Sequence, residues 1–365
     1  MSHGSSFSLL RFGVLILWAV VGFGACPGSA AVILTDVGQW TLPAGPSGAT
    51  ELSGISWAGG NQYYAVSDAN QTVYPLTITL NTATGAVISA TLSAGVVMAS
   101  GADLEGIACV PGGGSAWIAD ETGPAIRRHN LATGAELDAL TIPAVFANIR
   151  ANRSFESLSR RAGGAELWTA NEEALTVDGP VSTTAAGTVV RLQKFDAAGS
   201  AAGQWAYVAD AIEANLPQVA QEQSGVADML VLPNGKVLVL EREVDLVGLA
   251  LQFRNRIYEA DFSGATDTSA IAGLDGAAYT PVAKTLLWEK YFPNDDFEGL
   301  TLGPKLDDGS FSVLLISDDG SVNPFFPDQS LYALKISGDV PEPAALALLA
   351  AGATALIRRR RRATP

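Results

Sequence analysis

EGIACVPGGGSAWIAD, residues 105–120, is the stretch on which the fold turns. Two apolar strands flank a Gly112-Gly113-Gly114 turn, with an acid at each outer end. Near-copies read SGISWAGGNQYYAVSD from Ser53, ESLSRRAGGAELWTAN from Glu156, ADMLVLPNGKVLVLE from Ala227 and EGLTLGPKLDDGSFSVLLISD from Glu298. Self-similar units of this size signal a propeller or a solenoid. The fourth copy turns at Asn234-Gly235, a dipeptide suited to a tight hairpin because both central residues take positive φ.

Two further strand-like runs follow each hairpin. They are TVYPLTITL and AVISATL, AIRRHNL and LDALTIP, GTVVRLQKF and GQWAYVA, and NRIYEADF and VAKTLLWE. After the fifth hairpin only QSLYALKI remains, and the early run AVILTDVGQWTLP supplies the missing outer strand. The expected fold is therefore an all-β propeller of five four-stranded blades, its last blade closed by the N-terminal strand. The copies start 52, 51, 71 and 71 residues apart. The surplus in the last two steps falls on Leu175–Ala186, Ala211–Ser224 and Phe262–Ala278, with a short helix expected over Ala211–Gln223. A sixth blade is the alternative reading of the same surplus.

The two ends are of a different kind. Residues 1–30 read as a secretory signal: Arg11, an apolar run from Phe12 to Phe23, then the small residues Gly28-Ser29-Ala30-Ala31. Residues 339–365 hold Val340-Pro341-Glu342-Pro343, an apolar run from Ala344 to Ile357 and five arginines, Arg358 to Arg362. A basic cluster after an apolar run marks a cytoplasmic stop, and this run is short for a stable span. The tail resembles the PEP-CTERM sorting signal. That resemblance implies an exosortase-type enzyme as partner, transient membrane contact through the tail, and placement at the cell surface, outer envelope or extracellular matrix of a Gram-negative bacterium.

The propeller body is expected over residues 31–338. Setting aside Arg11 and the tail arginines leaves 16 basic residues; setting aside Glu342 leaves 36 acidic ones, for a net charge near −20. So acidic a surface argues against nucleic acid or anionic lipid and suits divalent cations. Cys109 is the one cysteine beyond the leader, so no internal disulfide is expected. His129 is likewise the one histidine there, which disfavours multi-His zinc and a Ser-His-Asp triad. It is expected at the surface beside Arg127 and Arg128. Trp57, Trp117, Trp168 and Trp205 sit within strands and read as blade packing rather than a sugar platform.

In a propeller each first strand lines the channel and the second runs back, so the start of one and the end of the other share a face. This places Glu105, Glu156, Glu298 and the offset Asp228 at one mouth, with Asp68, Asp120, Asn171, Glu241 and Asp318. Glu121, Glu172, Glu173, Glu243 and Asp319 follow closely, and Arg127, Arg153, Arg242 and Arg256 fall in the same region. Converging carboxylates resist ionisation unless a cation compensates. Hard oxygen donors suit calcium or magnesium, and arginines beside a bound cation suit a phosphate. Strand-end acids also serve simply as turn caps, and a Glu-Gly pair as a packing device where inner strands crowd the axis.

Ser53-Gly54-Ile55, Asp103-Leu104-Glu105-Gly106-Ile107, Phe155-Glu156-Ser157-Leu158 and Phe297-Glu298-Gly299-Leu300 resemble the "esterase-like activity of phytase" family. So do Ala119-Asp120-Glu121, Ala170-Asn171-Glu172-Glu173 and Arg256-Ile257-Tyr258. The resemblance implies a phytase-like phosphoester hydrolase with Glu105, Glu156 and Glu298 as catalytic residues. Around them are expected Asp120, Asp228, Glu241 and Asp318 as ligands of a divalent cation, calcium by preference, and Arg127, Arg242 and Arg256 as substrate-binding groups. Ser53 and Ala227 stand where the other copies carry Glu, so the ring of acids is incomplete. The alternative is a non-catalytic surface or matrix protein that binds exopolysaccharide.

Overall fold

The structure, a computed structural model, describes residues 1, 31–43, 45–46, 48–213, 223–247, 250–320, 329–338 and 340. Strand β1 (Ile33–Thr41) opens the chain. The first blade follows as β2 (Leu52–Gly59), β3 (Gln62–Ser67), β4 (Thr72–Leu80) and β5 (Val87–Leu92), with the short β6 (Val96–Val97) also pairing β4. The second holds β7 (Leu104–Cys109), β8 (Ser115–Asp120), β9 (Ala125–Asn130) and β10 (Glu136–Ala139). After a 3₁₀ turn over Ala144–Asn148 the third holds β11 (Ser159–Arg160), β12 (Leu167–Ala170), β13 (Val189–Phe195) and β14 (Ala201–Val208). The fourth holds β15 (Gln223–Val231), β16 (Val237–Val247), β17 (Ala250–Asp261) and β18 (Ala283–Pro293). The fifth holds β19 (Asp296–Lys305), β20 (Phe311–Asp318) and β21 (Ser330–Ser337), and β1 pairs antiparallel with β21 to complete it.

The chain is thus an all-β five-bladed propeller with N-terminal closure. Innermost strands meet their neighbours in chain order, and β19 returns to β2 to close the ring. Among the described residues the surplus adds loops and not a sixth blade. Residues 262–282 lie along the third blade, where Thr268 N donates to Gln204 O (2.7 Å) and Val282 N to Ala206 O (2.8 Å). The helix expected over Ala211–Gln223 lies largely outside the described residues, as do the leader and the tail. Among the described residues no helix is long and apolar enough to cross a membrane.

Five apolar clusters hold the ring, one between each pair of neighbouring blades. Central strands are covered on both faces, which is why β20 reads as a continuous apolar run and not as an alternating one. Trp168, Trp205 and Phe262 stack as one such contact, with centroids 5.1–5.4 Å apart. At the axis the backbones nearly touch. A Cβ on Gly54 would stand 2.1 Å from Glu105 O, and one on Gly106 would stand 2.4 Å from Leu158 N. The glycines of the repeated acid–Gly pair are therefore required by packing.

Two local expectations are corrected. His129 is buried (1 % exposed), because β9 turns it inward between outward-leaning neighbours, and its Nε2 lies 3.0 Å from Ser100 Oγ. The third hairpin is far less regular than the others. Ser157 and Thr169 replace ladder bonds there: Ala170 N donates to Ser157 Oγ (2.8 Å) and Thr169 Oγ1 to Ser157 O (2.7 Å).

Candidate metal centre at the channel mouth

Four innermost strands carry a register shift at the same place: between Leu52 and Gly54, Leu104 and Ile107, Val226 and Asp228, and Phe297 and Gly299. A bulge bends the strand and re-aims the extra residue. The bulged positions hold Ser53, Glu105, Ala227 and Glu298, and Glu156 takes the same place beside the Phe155–Asn171 bridge of the third blade. Just outside each bulge an apolar residue faces the second strand: Leu52 faces Ser67, Leu104 Asp120, Phe155 Asn171, Val226 Glu241 and Phe297 Ser317. The next residues along the second strands are Asp68, Glu121, Glu172, Arg242 and Asp318, and all five line the mouth.

This register sorts the expected residues. The structure brings Glu105, Glu156, Glu298, Arg242 and Asp318 together around a cavity of about 220 Å³. It places Asp120, Asn171 and Glu241 one residue earlier, and a one-residue step turns a strand side chain to the other face. Asp120 pairs with Arg127 (2.6 Å) and accepts from the amides of Ala102, Asp103 and Thr122. Glu241 accepts from Tyr207 Oη (2.6 Å) and Asp210 N (2.9 Å) and pairs with Lys284 (2.5 Å). Asp228 occupies the place of the axial glycines and accepts from Met229 N (2.7 Å) and Leu300 N (2.6 Å), pinning neighbouring blades. Arg127 is held by Asp120, and buried Arg256 by Glu243 (3.0 Å) and Asp210 (3.1 Å). These five residues lie outside the cavity with protein partners of their own.

Sequence reasoning missed Asp103, Asp296, Asn152 and Gln223, of which all but Asp296 line the cavity directly. Asp296 lies against Arg242 Nε (3.3 Å). A signal was present: Asp103-Leu104-Glu105-Gly106 and Asp296-Phe297-Glu298-Gly299 share one pattern, two acids flanking the apolar residue that precedes the bulge.

Eight carboxylates and one guanidinium line the cavity. Arg242 reaches Glu298 (2.7 Å) and Glu172 (3.3 Å). Burial works against its charge, and Asp296, Glu298, Glu172 and Glu156 outweigh burial and keep it protonated. Burial first, then neighbouring acids, pushes Asp68 up to about 8 and Asp318 up to about 7. Burial lifts Glu172 to about 7 although Arg242 pulls it down. Glu105, Glu156 and Glu298 rise well above the usual carboxylate range for the same reasons.

Oxygen atoms cluster in three groups, each within 4.8 Å: Asp68, Asp103 and Glu105; Glu105, Glu121 and Glu156; and Asp296, Glu298 and Asp318. Asp68 Oδ1 is buried without a hydrogen-bond partner. One arginine cannot neutralise eight carboxylates, and the donors are uniformly hard oxygens. The site therefore fits a divalent cation of the calcium or magnesium type.

Residues 339–362 match the PEP-CTERM protein-sorting motif, which implies export, envelope sorting in bacteria and recognition by exosortase-type machinery. No curated protein is significantly similar to the chain. Solved structures with a similar course include a member of the duf4221 family from Bacteroides vulgatus (9 % identity, 84 % of this chain and 99 % of that one, TM-score 0.43). Another is the PQQ-bound aldose sugar dehydrogenase from Streptomyces coelicolor (14 %, 86 % and 100 %, TM-score 0.37). A luciferin-regenerating enzyme is a third (11 %, 84 % and 96 %, TM-score 0.35). Residues 47–320, which run from before β2 to just past β20 and include the acidic mouth, match the family described as esterase-like activity of phytase, and the chain belongs to that family.

Proposed function

We propose that the protein is an exported phosphoester hydrolase that depends on a divalent cation, calcium by preference, held at the acidic channel mouth. One observation carries the reading: three groups of carboxylate oxygens gather at the channel mouth, and a single arginine lines the cavity among them. Glu105 with Glu121 and Glu156, and Asp296 with Glu298 and Asp318, would hold cations. A bound cation would neutralise phosphate charge and polarise a phosphoryl oxygen.

The chain's own groups supply the rest. Arg242 offers a planar donor fork for a phosphate oxygen, and its carboxylate partners fix its orientation. Glu172, lifted to about 7, suits proton transfer near neutral pH, where a catalytic group works best when its pKa matches the medium. Glu105, Glu156 and Glu298 are the residues on which turnover depends.

The test is hydrolysis of a panel of phosphomonoesters and phosphodiesters by purified protein, with calcium, magnesium or chelator. Turnover that needs the cation and disappears in Glu105→Gln with Glu156→Gln is expected. No cation-dependent turnover on any ester would sink the proposal. The sorting tail favours a second reading, an exopolysaccharide-binding protein of the Gram-negative cell surface or matrix. Glycan binding lost in the same variant, without turnover in the parent, is its signature.

A further inference from the structure

The end of the channel opposite the acids holds a second cavity, of about 220 Å³. Ile55, Ile107, Leu158, Leu230 and Leu300, one from the inner strand region of each blade, line it together with Trp57. Several polar groups beside it are already satisfied between blades: Cys109 N donates to Ser56 Oγ (2.9 Å), Trp57 N to Thr301 Oγ1 (3.0 Å) and Val231 N to Ser159 Oγ (2.9 Å). Burial pushes the Cys109 thiol up to about 12, so it is not a nucleophile at neutral pH.

Arg160 also lines this cavity. Every other described arginine is held by a carboxylate or, for Arg150, by two backbone carbonyls. Its backbone pairs with Leu167 in the ladder, but the Arg160 side chain forms no ion pair and no hydrogen bond among the described residues. A guanidinium paired with no carboxylate, in a body with an excess of about twenty acids and beside a neighbouring cavity that Asp138 and Asp196 line with it, is a vacant anion-recognition group. An apolar cavity of about 150 Å³ lined by Leu, Ile and Phe suffices to bind benzene, so this larger one has room for an alkyl chain of medium length.

We propose that this end of the channel binds a small apolar carboxylate, with its chain among the five aliphatic side chains and its carboxylate on Arg160. The ligand is an amphipathic monoanion of medium chain length. It binds independently of the acidic mouth, because the two cavities share no lining residue.

The test is calorimetric titration of the full chain with octanoate and with 1-octanol, with Trp57 fluorescence as a second readout. Saturable octanoate binding is expected, weakened about tenfold or more in Arg160→Gln and largely kept in Arg160→Lys, with octanol indifferent to both changes. Ala162→Trp, which fills the cavity, should abolish binding of both, and Glu105→Gln should leave octanoate unaffected. Melting curves check that each variant is folded. The proposal is overturned if octanoate shows no saturable binding, if octanol binds the parent as tightly, or if Arg160→Gln binds octanoate unchanged.

Discussion

The two ends of the channel are built by the same five strand regions, yet one is ringed by carboxylates and the other by aliphatic side chains. The difference lies in a few residues at each strand start. There a bulge breaks the ladder and re-aims Glu105 and Glu298, and Asp68, Glu121, Glu172 and Asp318 stand at or just past the ends of the second strands. A few residues further on, the inner strands are lined by aliphatic side chains and buried on both faces. The mouth is where the fold tolerates unfavourable charge, and the far end is where it is conventionally packed. Function is expected where stability has been sacrificed.

Breaking the acidic end should have the largest effect. Glu105→Gln with Glu156→Gln should lower cation-dependent turnover by about 100-fold or more, the scale of losing a positioned acid–base or charge-stabilising group. Steady-state kinetics at saturating calcium measures it, with circular dichroism confirming the fold. A loss under about threefold would show that these glutamates are packing elements.

Asp228 separates structural acids from those of the mouth. Its carboxylate joins neighbouring blades through buried backbone amides. Asp228→Ala should cost about 2–4 kcal/mol, since it leaves buried donors unpaired. Denaturant unfolding reads this directly, and cation affinity per folded molecule should not change.

The pH dependence of stability sharpens the comparison further. Asp68, at about 8, and Glu172 and Asp318, at about 7, bind protons more tightly in the folded state than in the unfolded chain. The unfolded values lie near 4, so the folded state carries extra protons between about 4 and 8. Stability therefore falls as pH rises through that window. Melting temperature in chelator should decline from about pH 4 to pH 8, and saturating calcium should flatten the decline. A flat profile in chelator would mean that neither burial nor mutual repulsion raises these acids in the folded state.

The smallest effect is the reverse of the usual cost of mutation. Asp68→Asn should stabilise the chelated protein at pH 9 by about 1 kcal/mol, because it removes a carboxylate that repels Asp318 and Glu51. The same change should weaken calcium binding. Destabilisation at pH 9 would contradict the assignment of Asp68 to the strained end.

The propeller was legible in the sequence because its signals are local and repeated. Apolar runs, glycine turns and a missing outer strand were enough to count the blades and close the ring with residues 33–41. The site was legible only in part, because it depends on register. Aligning the second strands on Asp68, Asp120, Asn171, Glu241 and Asp318 mixes two rows that point to opposite faces. Aligning AVSD, IADE, TANE, VLER and LISD by their last residue gives the row that lines the mouth: Asp68, Glu121, Glu172, Arg242 and Asp318. That correction also shows that the fourth blade contributes a cation where the other four contribute acids. His129 was misread because a single histidine carries no periodic signal, and its burial depends on contacts made after the chain has folded.

The central claim is that the acids of the mouth hold a divalent cation. Calorimetric titration of the metal-stripped full chain with calcium, beside Glu105→Gln with Glu156→Gln, tests it most directly. Saturable binding by the parent, at least tenfold weaker in the folded variant, is the predicted result. Parent protein that is folded and binds neither calcium nor magnesium, or a variant that binds calcium as tightly as the parent, would contradict it.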